Sequence, residues 1–129
     1  MPIPAAAVYR FTGPANKWRF SMATERVSVL NLSQIQVLVE ADHSGLPYNP
    51  TGATVEFAFL EVALANPVGG DWVPGTWDIT KIAAYAAQCK IGPSGAINLA
   101  AGEYYTWIRL TDAAAGETPV ECVGKLIVS

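Results

Sequence analysis

Leu99-Ala100-Ala101-Gly102-Glu103-Tyr104-Tyr105-Thr106-Trp107-Ile108-Arg109-Leu110-Thr111-Asp112 is the stretch on which the reading of this chain turns. Gly102 supplies backbone freedom for a tight corner, and the residues after it are aromatic and β-branched, so the segment reads as a corner running straight into a strand. In a strand, alternate side chains face opposite ways. Tyr104, Thr106, Ile108 and Leu110 then form the core face, and Glu103, Tyr105, Trp107 and Arg109 the other. Tyr104 stands two residues after the glycine, placed to turn its hydroxyl back onto the corner it has just left.

Working outward, Glu117-Thr118-Pro119 precedes a last strand, Val120 to Val128. A short strand at Ala96–Leu99 leads into the corner, and Gly92-Pro93-Ser94-Gly95 separates it from the segment Ile79–Ile91. That segment fits two periods, which we read as a helical turn near 79–84 and a strand near 85–91. Residues 63–77 form a long irregular connection carrying Trp72 and Trp77, which either cap the open end of the domain or stand out as anchors for a partner. Thr54–Val62 is a strand burying Val55, Phe57 and Phe59 while Glu56 and Leu60 face away. Ala41–Gly45 reads as a turn and Pro47–Gly52 as a loop. From Arg26 to Glu40, Ile35, Val37 and Val39 alternate with Gln34, Gln36 and Glu40 as a half-buried strand.

Residues 1–26 carry two aromatic–basic–aromatic triplets, Tyr9-Arg10-Phe11 and Trp18-Arg19-Phe20, around a Gly13-Pro14 break. Two readings stand: a first strand over the domain's own core, or an extended arm lying on a neighbouring subunit. Seven or so short strands with turn signals every eight to twelve residues define an all-β, immunoglobulin-like β-sandwich of about seven strands. We divide it into an extended N-terminal arm, residues 1–26, and a sandwich domain, residues 27–129.

Composition narrows function. At 129 residues the chain is one domain with room for a core, and with 51% hydrophobic against 15% charged residues its surface carries few charges. Residues 1–30 hold four bases and one acid, a balance of +3; the other four bases and ten acids lie beyond, a balance of −6. No run of eighteen apolar residues spans a membrane and no charged leader begins the chain. Asn31-Leu32-Ser33 fits a glycosylation sequon, which without a leader reads as accidental.

Chemistry finds no footing. Asp42-His43-Ser44 has the residue types of a triad, but contiguous residues in an extended chain point apart, so it reads as a polar turn. His43 is the only histidine, Gly69-Gly70 lacks a phosphate-loop lysine, and the carboxylates are scattered singly. Cys89 and Cys122 belong to no Cys-x-x-Cys motif and read as free thiols, with a cross-strand disulfide as the alternative. We therefore expect no enzyme, no cofactor and no metal. Contacts are better supported: Tyr105, Trp107 and Arg109 put an aromatic–cationic ladder on one sheet face, either a binding patch or a surface beneath the N-terminal segment.

Asn49-Pro50-Thr51-Gly52-Ala53-Thr54-Val55-Glu56-Phe57-Ala58-Phe59, Asp71-Trp72, Thr76-Trp77, Ile91-Gly92-Pro93, Leu99 to Asp112 and Pro119 to Val128 together resemble a family of small proteins of tailed bacteriophages of actinobacteria. More loosely, they are similar to the immunoglobulin-like N-terminal module of phage baseplate proteins. The resemblance covers about residues 34–129 and implies a virion structural protein at the head-to-tail connection, on the capsid or in the tail. Its partners would be portal, connector, capsid or tail proteins and copies of itself, assembled in the host cytoplasm. The expected contact residues are Tyr9, Arg10, Phe11, Trp18, Arg19, Phe20, Trp72, Trp77, Tyr105, Trp107 and Arg109. DNA contact by the basic N-terminal segment is a lesser alternative, and so is a carbohydrate- or receptor-binding sandwich stacking its ligand on Trp72 and Trp77.

Overall fold

Period-two alternation builds nearly every element. The structure, a computed structural model, describes residues 7–12, 16–43, 45–61, 65–78 and 85–129. Eleven strands follow in order: β1 Ala7–Thr12, β2 Asn16–Met22, β3 Glu25–Val27, β4 Ser33–His43, β5 Leu46–Tyr48, β6 Thr54–Leu60, β7 Val73–Pro74, β8 Thr76–Asp78, β9 Tyr85–Ile91, β10 Gly102–Thr111 and β11 Val120–Val128. They form two sheets, one in the order β1-β2-β4-β9-β8 with β5 added to β4, the other in the order β3-β11-β10-β6-β7. All neighbours pair antiparallel except β3, which runs parallel to β11.

The sequence β2-β4-β9-β8 against β11-β10-β6 is the A-B-E-D against G-F-C order of an immunoglobulin-like sandwich, with β7 added beyond β6. The first strand divides between the sheets: Ala23-Thr24 carries the chain from β2 across to β3. Trp18, Phe20, Ile35, Val37, Phe57, Ile108, Leu110 and Leu126 fill the interior, all fully buried. Across the layers, Met22 of β2 lies against Gly124 of β11, so near that a Cβ on Gly124 would meet its sulfur at 3.0 Å. The register of β10 on β11 slips between Thr106 and Trp107, leaving Val123 as the extra residue of a β-bulge and buried.

The expected corner is present. Tyr104 is 4% exposed and its hydroxyl donates to the carbonyl of Ala100 at 2.7 Å. Other expectations are revised. β2 pairs with β4 along its length and buries Trp18 and Phe20, so a division at residue 26 would cut through the core: residues 16–22 are a sandwich strand. The expected strand from Arg26 to Glu40 is interrupted by a turn at 29–30, and β4 then runs on to His43, past the expected turn, because β5 pairs with its end. Proline at position 47 is compatible with this short flanking strand. The expected strand at 96–99 is a single bridge, Ile91 to Ile97. The Gly13-Pro14 break, the helical turn at 79–84 and Ser44 lie outside the described residues.

Candidate functional site

The outward face of the five-stranded sheet gathers the residues with most to offer a partner. On β10 Tyr105, Trp107 and Arg109 form a row, and the register sets Leu60, Ala58 and Glu56 of β6 opposite them. On the other side of the row, Tyr105 faces Lys125 and Trp107 faces Cys122 of β11. Arg109 donates to Glu56 Oε1 twice, from Nε at 3.1 Å and from Nη2 at 2.8 Å. The long connection then folds back so that the Trp72 ring lies 4.4 Å from the guanidinium carbon of Arg109. A guanidinium held between a carboxylate and an aromatic face is fixed in direction, at a net contribution of about 0.5–1 kcal/mol for each half-exposed contact. Lys125 closes the row with an ion pair to Glu103 at 3.1 Å.

Trp72, Tyr105, Trp107, Arg109, Glu56, Leu60 and Lys125 are half-buried, and Glu103 is exposed. Ala58 is fully buried although it sits in this outer row, and the indole N–H of Trp107 is buried without a hydrogen-bond partner, so the middle of the face is covered. The two cations and two anions of the row neutralise one another, leaving aromatic and aliphatic surface between fixed charges. That is the composition of a protein-docking patch.

The remaining expected contact residues separate. Trp77 packs against the core and its Nε1 donates to the carbonyl of Ala53 at 2.9 Å, so it caps the sandwich end and does not stand out as an anchor. Trp18 and Phe20 are fully buried in this chain's own core, which removes them from any contact with a neighbour. Arg19, between them, reaches the opposite face of its sheet, where it meets Asp42 at 3.0 Å and Glu40 at 3.1 Å. The backbone of Tyr9, Arg10 and Phe11 pairs with that of Phe20, Arg19 and Trp18. The strand that carries them belongs to the other sheet, so it does not cover the Tyr105–Trp107–Arg109 ladder. Glu56, Glu103 and Lys125 were not among the expected contacts; Glu56 was legible as an outward residue, but its partner appears only with the register of β6 on β10.

Elsewhere the titratable groups are dispersed. Asp112 and Glu117 are bridged across the β10–β11 connection and both are 4% exposed. Asp112 accepts from the Tyr48 hydroxyl at 2.7 Å and from the Ala115 amide at 3.1 Å, while both oxygens of Glu117 are buried without a partner. No group of three ligating side chains able to hold a metal occurs among the described residues. Cys89 lies in the core of the six-stranded sheet and Cys122 on the outward face of the five-stranded sheet, both free. Burial pushes the Cys89 thiol up to about 11 and raises that of Cys122, so neither is a ready thiolate. No helix among the described residues is long and apolar enough to cross a membrane. No protein-family model, curated protein or solved structure matches the chain.

Proposed function

We propose that this chain is a non-enzymatic structural protein of a tailed-phage virion, built in several copies into the head-to-tail connection and working by docking. The observation that carries the docking part is the pre-ordered row Trp72–Arg109–Trp107–Tyr105. A connection of low complexity would leave Trp72 in solvent; here it is laid on a guanidinium already held by Glu56, so the rotamer entropy of a contact surface is lost on folding and not on association. The phage part rests on the resemblance carried by residues 34–129. A place on the capsid surface or in the tail uses the same face. Partners are then other virion proteins and copies of the chain, and the site of action is the virion.

The carbohydrate- or receptor-binding alternative uses Trp72 and Trp77 as stacking platforms. Trp77 donates to the Ala53 carbonyl and packs on the core, and Trp72 stacks on Arg109, an arrangement that favours the docking reading over it. Light scattering of the purified chain tests the docking reading. The wild-type protein is expected to form a defined multi-copy assembly. A double variant, Trp72→Ala with Tyr105→Ala, is expected to keep its melting temperature within a few degrees and to fall to monomer. A wild-type chain that stays monomeric at every concentration, or a double variant that assembles unchanged, overturns it.

A further inference from the structure

The corner that joins β10 to β11 buries two carboxyl groups together. Asp112 and Glu117 flank the loop Ala113-Ala114-Ala115-Gly116, and their main chains exchange both hydrogen bonds. The Asp112 N–H donates to the Glu117 carbonyl at 2.9 Å and the Glu117 N–H to the Asp112 carbonyl at 3.1 Å. Residues paired in this way stand with their Cα atoms about 5.5 Å apart and their side chains on the same face. For Asp112 that is the inner face, continued from Ile108 and Leu110, and both residues are only 4% exposed. The two carboxyls are unequally served. Asp112 accepts from the Tyr48 hydroxyl and the Ala115 amide, whereas both oxygens of Glu117 are buried without a partner. None of the ion pairs among the described residues includes either acid: Arg19, Arg109 and Lys125 are engaged by Glu40, Asp42, Glu56 and Glu103.

We propose that Asp112 and Glu117 bind a divalent cation of calcium size at this corner. A buried carboxylate with neither donor nor counter-ion is strongly destabilising, and a second carboxylate directly opposite adds repulsion. A doubly charged cation between them removes both costs. The donors are carboxylate oxygens, which suit Ca2+ or Mg2+ and not the metals selected by imidazole or thiolate. Burial then favours Ca2+. It takes bidentate carboxylates and main-chain carbonyls in a flexible shell, whereas Mg2+ keeps several of its waters in a strict octahedron that the buried Glu117 oxygens do not accommodate. Two carboxylates do not complete a calcium shell, so the other ligands would be carbonyls of the loop 113–116, which is largely exposed, and water reaching the ion past it. Asp112 is also bonded to Tyr48 of β5, a strand of the opposite sheet, so a cation held here would fasten the two layers at one end of the sandwich. The site shares no residue with the Tyr105–Trp107–Arg109 row and does not depend on the docking reading.

The full-length chain is melted in EDTA and then in Ca2+ or Mg2+ up to about 10 mM, beyond the weakest range of oxygen-ligand sites. We expect saturating Ca2+ to raise the melting temperature by about 5–10 °C and Mg2+ to raise it much less. Glu117→Gln keeps the shape of the side chain and removes its charge. It should need at least tenfold more Ca2+ for the same rise, yet melt in EDTA no lower than wild type. Tb3+, which occupies calcium sites and emits when a nearby tyrosine is excited, should luminesce on the wild-type chain through Tyr48, be displaced by Ca2+ and stay dark on Glu117→Gln. Asp112→Asn serves as a second variant should the first fail to fold. A wild-type melting temperature equal in EDTA and Ca2+, an equal response to Mg2+ and Ca2+, or a Ca2+ response undiminished in both variants overturns the proposal. None of these outcomes bears on assembly through Trp72 and Tyr105.

Discussion

Tyr104 shows how much one side chain can decide. Its ring is buried and its hydroxyl ties β10 to the carbonyl of Ala100, four residues back, so the corner before the strand is held from within. Tyr104→Phe removes that bond and leaves the Ala100 carbonyl to find water. We expect a loss of about 1 kcal/mol in unfolding free energy, measured by urea denaturation. Glu121 lies opposite the fully buried Ile108, and burial raises its carboxyl above the usual range. A carboxyl raised in the folded state costs stability once it ionises. That cost is absent at low pH, where both states are protonated, sets in as pH rises past the unfolded value and is complete above the folded one. Glu121→Gln should therefore raise the melting temperature at pH 7 and leave it unchanged at pH 3. Equal shifts at both pH values would show that the charge of Glu121 is not the cause.

At the scale of elements, two glycines set how strands approach and leave the sandwich. Gly75 separates β7 from β8, and a Cβ there would meet the Phe57 ring at 2.6 Å and the Gln88 carbonyl at 2.9 Å. Phe57 is fully buried and cannot withdraw, so Gly75→Ala should cost about 1–3 kcal/mol and loosen both short edges. A melting temperature unchanged in Gly75→Ala would mean the connection yields more freely than its packing indicates. Gly92, at φ 110°, passes so close to Asn31 that no side chain fits. Glycine at both positions is visible in the sequence as a break, and break residues placed most strand ends within a few positions. Less legible was where pairing continues through a break. β4 runs on to His43 because β5 turns back on it, and Glu25–Val27 becomes its own strand because β11 is alongside. Neither partner is near in sequence, so local alternation carries no sign of them.

For the whole molecule, the main revision concerns the N-terminus. Trp18 and Phe20 are among the largest fully buried side chains, and each large-to-small change at such a site costs about 3–5 kcal/mol, against a total stability of about 5–15 kcal/mol for a domain. A chain lacking residues 1–26 should therefore fail to fold, giving no cooperative thermal transition. A folded and soluble truncation would restore the arm. The sequence by itself determined an all-β sandwich, the strand faces, the corner at Gly102–Tyr104 and two thiols outside any motif, because these follow from period-two alternation and from residues whose backbone preferences act locally. Only the tertiary structure decided that Trp18 and Phe20 are core, that Trp77 is a cap and that Trp72 lies on Arg109. Each depends on which distant strand or loop lies opposite, a matter of register and layer packing that a linear pattern does not contain.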